Sequence, residues 1–211
     1  LRAKILRAKH DDARAREELV GMVRAGSDGY AVRIMLADLA ADAKNAAGAR
    51  FEFSIAHEFD PTMAEPLQAL YDLDHREKRE TEALGWLRKI ARLDQHDRKT
   101  YRLLLEGLVA TNEYAEAKAV GEAAMFVDVE NHVVHRLYAT ALSQTGDHVK
   151  AAFELESALL CNPPPPEAAT LHARLAAENI ALGNHAKAKA ERAEALRLDP
   201  GSAEAKALKL P

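Results

Sequence analysis

The sequence predicts an all-α protein made of stacked, repeated helix pairs. Segments that look like helix ends recur along the chain, with intervals of 34, 34, 34 and 37 residues between the acid or amide that each contains. A fixed period of this length indicates a repeat array. The composition agrees, since the chain is rich in alanine, has only 5% aromatic residues and keeps most of its prolines at segment junctions. The recurring acid or amide falls at Asp60, Asp94, Asp128, Asn162 and Asp199.

The two repeats nearest the C-terminal end show the pattern most clearly. Small residues or a proline stand at the same five offsets in both, as the pairs Ala139/Ala176, Gly146/Gly183, Ala151/Ala188, Ala158/Ala195 and Pro163/Pro200. Alanine at such positions lets two helices cross closely, because a larger side chain would push them apart. Each repeat therefore consists of a helix, a tight turn and a second helix.

The turn inside each repeat has its own sequence signature. In "QTGDHVKA" and "ALGNHAKA", Gly146 and Gly183 suit a left-handed helix end, and Asp147 and Asn184 suit the N-cap of the next helix. In an earlier repeat, Asn112 takes the place of the turn glycine. The complete pattern resembles the tetratricopeptide repeat (TPR) family.

This resemblance implies a right-handed superhelical solenoid of stacked antiparallel helix pairs, in about six TPR-like repeats. First helices would line a concave groove, and second helices would form the convex side. The third repeat matches least well, since Asp74 stands where the family usually has an aromatic residue. The predicted repeats are approximately 1–29, 30–63, 64–97, 98–131, 132–166 and 167–201, followed by a short closing helix at 202–211 with Ser202 as its N-cap.

A proline-rich insert, 163–166, lengthens the interval before the last repeat by three residues. Consecutive prolines favour the extended polyproline II conformation, so we expect a stiff elbow there. The alternative is a docking tag for a proline-reading domain, which we consider less favoured because prolines are common at such junctions.

Bulk composition excludes several classes of function. The formal net charge of −4 and the absence of a basic stripe argue against nucleic acid as a partner. No apolar run approaches the roughly 20 residues that span a bilayer, so we expect no membrane insertion. Cys161 is the only cysteine, which excludes an internal disulfide. The chain starts in helical rhythm without a methionine, so we expect a longer parent protein, and its localisation is unknown.

No motif in the sequence points to catalysis. His132 and His135 could share one helix face, with His148 near the next turn, but no third ligand stands at a fixed spacing, and this favours structural histidines over a zinc site. A phosphate-binding loop and a nucleophile elbow are both missing, and Cys161 has no fixed histidine partner. We therefore expect no enzyme activity, no cofactor and no metal.

Charged residues recur at positions of the first helices that are expected to face the groove. They form two ladders, and we expect Asp72 beside Arg102 and Glu106 beside Arg136. The groove would be acidic at repeats two and three and basic at repeats four and five, which suits a peptide with opposite charges in sequence. The alternative, weighed about evenly, is that these residues form salt bridges between repeats on a solvated face. The predicted groove residues are Asp38, Gln68, Asp72, Lys99, Arg102, Glu106, Arg136 and Thr140.

The sequence thus predicts a protein–protein interaction scaffold that binds a peptide or partner protein. One alternative is a non-catalytic C-terminal region of a larger bacterial enzyme, for example a peptidase, that recruits substrate. Another is a homo-oligomer formed through the solenoid ends, where Ile5 would be exposed. For Trp86 we favour packing over an interface role. Gly121 either admits a bulky neighbour such as Phe126 or weakens its helix.

Overall fold

The computed structural model describes residues 2–209, and within that range the chain forms thirteen α-helices and no strand. Residue 1 of the first predicted repeat and residues 210–211 of the predicted closing helix lie outside the described residues. The helices are α1 Arg2–Ala8, α2 Asp12–Arg24, α3 Tyr30–Asp42, α4 Ala46–Phe59, α5 Glu65–Arg76, α6 Glu80–Leu93, α7 Arg98–Ala110, α8 Tyr114–Ala124, α9 His132–Gln144, α10 His148–Leu160, α11 Pro165–Ala181, α12 His185–Leu198 and α13 Ala203–Ala207.

Consecutive helices pack as pairs, which confirms the predicted all-α repeat architecture. Helices α1–α6 belong to one compact unit, residues 1–95, and α7–α13 belong to a second, residues 96–211. We call them the N-terminal unit and the C-terminal unit. In the C-terminal unit α9 packs against α7, α8 and α10, and α11 packs against α10, α12 and α13. First helices thus contact the neighbouring repeats as well as their own second helix.

A left-handed residue connects the two helices of every repeat. The predicted left-handed glycines are confirmed, with φ of 83° at Gly146 and 74° at Gly183, and Asn112 takes the same conformation at 61°. The Asp147 side chain accepts a hydrogen bond from the Lys150 backbone N–H at 3.3 Å, so it caps α10 as predicted. In the three earlier repeats the equivalent residues, also at positive φ, are His10, Lys44 and Lys78.

Small buried residues recur in the second helix of every repeat. One alanine in each second helix is at most 1% exposed, and these alanines keep the repeat interval along the chain. The contact of α8 with α9 of the next repeat is close at Gly121, where an added Cβ would lie 2.7 Å from Cγ of Tyr138. The glycine therefore admits Tyr138 of α9 and not Phe126, which is 88% exposed. The alanines are Ala15, Ala49, Ala83, Ala117, Ala151 and Ala188.

The helix ends agree with the sequence pattern in part. Asp60, Asp94 and Asp199 are C-cap residues with extended backbone, whereas Asp128 lies in the loop after α8. The proline-rich insert is extended only in part: Pro164 has φ −56° and ψ 149°, which is the polyproline II conformation, and the stiff elbow stays a prediction. Pro165 and Pro166 are the first residues of the 17-residue helix α11, because proline at the first helical positions loses no hydrogen bond and has the right φ.

A short closing helix is present, as predicted. The Ser202 hydroxyl accepts a hydrogen bond from the Ala205 backbone N–H at 3.2 Å and caps α13, which ends at Ala207. Ala205 is buried in a small cluster with Ala173 and Ala195, so the helix covers one end of the last repeat.

Candidate functional site

A polar surface of the C-terminal unit lies on its first helices. We call this surface the first-helix face and define it by Arg102 and Glu106 of α7, Arg136 and Thr140 of α9, and Arg174 of α11. Four of these five residues were predicted from the sequence as groove residues, and Arg174 was not. Their arrangement follows from the stacking of the helix pairs, which brings α7 and α9 into direct contact.

Arg136 is a half-buried cation that lacks a counter-ion. Burial is the main cause that lowers the pKa of its guanidinium, and the positive charge of Arg174 lowers it further. Glu167, Glu106 and Glu204 act in the opposite direction from a distance. Among residues 2–209, however, no acceptor lies within hydrogen-bond or ion-pair distance of the guanidinium. A half-buried charge without a direct partner is less favourable than a paired one, so an approaching anion would stabilise it.

Arg174 is held in place beside Arg136. Its Nη1–H donates to the Thr140 hydroxyl at 3.0 Å, and its Nη2 lies 3.5 Å from a carboxylate oxygen of Glu204 in α13. The Thr140 hydroxyl in turn donates to the Arg136 backbone carbonyl at 2.9 Å. Thr140, Arg174 and Glu204 also line a cavity of about 260 Å³. The closing helix therefore orients one of the two neighbouring arginines.

The described residues do not form the predicted ion pair between Glu106 and Arg136. The two side chains influence each other electrostatically. Glu106 instead lies 3.9 Å from Arg102 within α7. The Lys99 side chain is exposed at the start of the same helix. The other expected pair, Asp72 with Arg102, has one residue in each unit and stays a prediction.

In the N-terminal unit the predicted acidic residues already have partners. Arg7 of α1 donates to Asp38 at 2.8 Å and to Asp42 at 3.0 Å. The Gln68 side-chain amide donates to Asp72 at 3.3 Å. Asp38 is thus part of a salt bridge between repeats, which was the alternative reading of the ladders, and the acidity of this half is reduced.

The sequence reasoning missed Arg7, Arg174 and Glu204 because it paired each acid with a base that follows it. In both of the observed pairs the base comes first: Arg7 precedes Asp38 by 31 residues, and Arg174 precedes Glu204 by 30. A search for acids about 30 residues after each base, as well as before it, would have found these residues.

Histidines in the C-terminal unit pair with carboxylates across helix contacts. His135 donates through Nδ1 to Glu154 at 2.6 Å and through Nε2 to the Val129 carbonyl at 2.8 Å, and both side chains are buried. Both ring nitrogens face oxygen atoms, an arrangement that favours the protonated imidazolium. Burial alone would lower its pKa, but these two hydrogen bonds and the charge of Glu154 raise it above the ordinary value.

The two histidines of the candidate zinc motif have separate partners. His132 contacts Glu167, whereas His135 binds Glu154 and the Val129 carbonyl. Residues 2–209 contain no group of three histidine, cysteine or acidic side chains placed to hold a metal ion. Nor does any helix in that range combine the length and apolar character needed to cross a bilayer.

Trp86 is half-buried in the N-terminal unit and contacts residues of its own repeat. Its indole N–H donates to Asp74 at 2.7 Å, and Lys89 lies 4.4 Å above the ring. Asp74 is 1% exposed and also accepts from Arg50 at 2.6 Å. The acid that stands in place of the usual aromatic residue is therefore the acceptor of a buried network.

Comparison with known proteins gives a structural answer and no sequence answer. No family model and no curated protein sequence matches the chain. Among solved structures, YrrB, titled a TPR protein with an unusual peptide-binding site, is similar with a TM-score of 0.70 and 15% identity over 90% of this chain and 97% of that one. MamA from Desulfovibrio magneticus RS-1 is similar with a TM-score of 0.63 and 15% identity over 83% of this chain and 98% of that one.

PilF of Pseudomonas aeruginosa is similar over a still larger part of the chain, with a TM-score of 0.56 and 17% identity over 97% of this chain and 91% of that one. At such low identity the likeness concerns the fold. Together with the repeat interval, the left-handed turns and the alanine contacts, it shows that the chain has the helix-pair fold of the tetratricopeptide repeat proteins.

Proposed function

We propose that this chain is a protein-interaction scaffold without catalytic activity, and that the first-helix face of its C-terminal unit binds an acidic segment of a partner protein. The observation that carries the proposal is the half-buried Arg136, which forms no ion pair with any residue from 2 to 209 and lies beside the oriented Arg174. A peptide-binding relative of the same fold, YrrB, supports the choice of a protein segment as ligand.

The chemistry of Arg136 favours a carboxylate. A guanidinium matches a carboxylate in shape and donates two parallel hydrogen bonds to it, and such charge-assisted bonds are the strong ones in proteins. Partial burial strengthens the attraction, since the effective dielectric is lower than in water. A bound carboxylate would thus offset the charge that the protein itself leaves uncompensated.

The spacing of the arginines suits an extended chain. Arg102, Arg136 and Arg174 come from three successive first helices, and packed helices lie about 8–10 Å apart. A peptide in the extended polyproline II conformation advances about 3.1 Å per residue and has three residues per turn, so every third side chain faces the same way. Acidic side chains at roughly every third position would therefore meet successive arginines. The readings of the chain as part of a larger enzyme, or as a self-assembling module, stay hypotheses.

Selection from a random short-peptide library on the wild-type protein tests the proposal, followed by fluorescence polarisation with the most enriched peptide. We expect enriched peptides with repeated Asp or Glu, whose affinity falls as salt increases. Arg136→Glu should weaken binding about tenfold or more, because it removes a charge pair in a partly buried site.

The matched control is Arg16→Glu, which makes the same charge change on the exposed side of α2. It should leave the affinity unchanged, and circular dichroism should show that both variants keep the helix content of the wild type. Enriched peptides without acids, or equal affinity of the wild type and Arg136→Glu, would contradict the proposal.

A further inference from the structure

A second surface of the C-terminal unit exposes apolar side chains where a helix normally presents polar ones. Phe153 and Leu160 lie on one side of α10, seven residues apart, and are 62% and 82% exposed. Val129, in the loop before α9, is 59% exposed. Together with Met125 they line a cavity of about 750 Å³. We call this surface the α10 patch and define it by Met125, Val129, Phe153 and Leu160.

The loop side of the α10 patch is held by the buried histidine. His135 reaches from α9 to the Val129 carbonyl with one ring nitrogen and to Glu154 of α10 with the other. The loop and α10 are thereby connected through one imidazole ring, so this wall of the cavity is formed in the absence of a partner. A preformed apolar cavity of this kind is a favourable place for binding, because little ordering is left to be done.

The titratable side chains that line the cavity carry a net negative charge, because one histidine faces two glutamates. Glu130 and Glu154 line it, and His135, the single basic residue in its wall, has both ring nitrogens engaged. Glu130 forms no ion pair with any described residue, and it lies close enough to Cys161 to raise the pKa of that thiol, together with the larger effect of burial. Lys150 and Arg98 are the neighbouring bases, and they face Glu122 and Asp128.

We propose that the α10 patch is a second docking site, which binds a partner-protein segment whose apolar side chains are flanked by lysine or arginine. Contiguous exposed apolar surface with a polar rim is typical of protein interaction sites. The carboxylate of Glu130 complements a basic flank. An anionic membrane surface is disfavoured by the same carboxylate. This site has no residue in common with the first-helix face, so the failure of one proposal does not contradict the other.

The test is a selection from a random short-peptide library on the wild-type protein, with removal of peptides that also bind the double variant Phe153→Ser plus Leu160→Ser. Both side chains are mostly exposed, so these changes should leave the fold intact. The most enriched peptide, labelled with fluorescein, is then titrated against the wild type and the variants. We expect apolar residues next to Lys or Arg, and affinity about tenfold weaker for the double variant.

Three further variants sharpen the test. Glu130→Lys should weaken the peptide through charge reversal, whereas Arg136→Glu on the first-helix face should not. Phe51→Ser, on α4, removes a phenylalanine of matching exposure, 61%, and should also have no effect. The proposal is overturned if no peptide distinguishes the wild type from the double variant, or if the selected peptides lack bases. It is equally overturned if light scattering shows a dimer that the double variant dissolves, since the occupant is then a second copy.

Discussion

A single left-handed residue between the paired helices recurs through the described repeats, yet only some of these residues have the sequence signature of that conformation. Gly146 and Gly183 were expected, because glycine has no Cβ to clash in the left-handed region. Lys44 and Lys78 take the same conformation although lysine has no preference for it. The packing of the two helices thus selects the turn, and the residue type only adjusts its cost.

The turn conformation can be tested by giving the same change to two glycines. The space around Gly146 and around Gly85 is open, so an added methyl group meets no neighbour at either site. Gly146→Ala should lower the free energy of unfolding by about 1 kcal/mol, because its φ is positive. Gly85→Ala, inside α6, should raise it by up to about 1 kcal/mol through helix propensity.

Urea denaturation followed by far-ultraviolet circular dichroism measures both effects. Both variants replace glycine by alanine at an open site, so a difference between them reports the backbone conformation and not the added methyl group. If both alanine variants shift the transition in the same direction, the left-handed turn is not what Gly146 provides.

At the scale of helices, Asp74 connects three elements of the N-terminal unit. It lies near the end of α5 and accepts hydrogen bonds from Arg50 of α4 and Trp86 of α6. Arg79, just before α6, lies 3.5 Å away. From the sequence alone this aspartate looked like a poor match to its repeat. The structure explains it, because the indole N–H of Trp86 on the second helix donates to this aspartate.

Removal of this acceptor should destabilise the N-terminal unit. We expect Asp74→Ala to lower its free energy of unfolding by about 3 kcal/mol, because a buried charge pair and the indole N–H lose their partner together. Trp86 is the only tryptophan, so its fluorescence reports this unit during urea denaturation.

Asp72→Ala is the matched control, two residues away on the exposed side of α5. It should change the stability by less than about 0.5 kcal/mol, as exposed substitutions usually do. Equal losses for the two alanine variants would mean that the Asp74 network contributes nothing specific.

At the scale of the whole molecule, pH acts on the two units in opposite directions through two histidines. Burial lowers the pKa of His57 in α4, and the charge of Lys89 lowers it further, while Glu58 opposes them. Stability from this site is present above the ordinary pKa of about 6.5 and is lost as the pH falls.

The pKa of His135 is raised against its burial by Glu154, the Val129 carbonyl and Asp128. Stability from this site is present below about pH 6.5 and is lost as the pH rises through the raised pKa.

We therefore expect each histidine to control one side of the pH profile between about pH 5 and pH 9. Replacement His57→Gln should flatten the decline in stability on the acid side, as followed by Trp86 fluorescence. Replacement His135→Gln should flatten the decline on the alkaline side, as followed by circular dichroism. If either variant keeps the slope of the wild type on its own side, the corresponding histidine does not carry that dependence.

Most of the fold could be predicted from the sequence because the same residue types recur at a constant interval. The buried alanines and the turn residues recur at fixed intervals, and each copy supports the interpretation of the others. The site was less predictable. Arg136 and Thr140 do meet on one face, but their partner Arg174 and the base-before-acid order were missed. Those details depend on how far each helix is rotated in the stack, and a 34-residue period leaves that rotation undetermined.

The three additional residues between the fifth and sixth repeats have a consequence for how such a gene can change. They are absorbed before and at the start of α11, while His172 and Glu191 keep the same 19-residue separation as His135 and Glu154. Arg33 and Glu52 show this separation in the N-terminal unit as well. The number of residues between the contacting side chains is thus constant within these helix pairs, whereas the number of residues between one pair and the next varies. Recombination at the junctions can therefore duplicate, delete or exchange whole pairs without breaking the contacts within any of them.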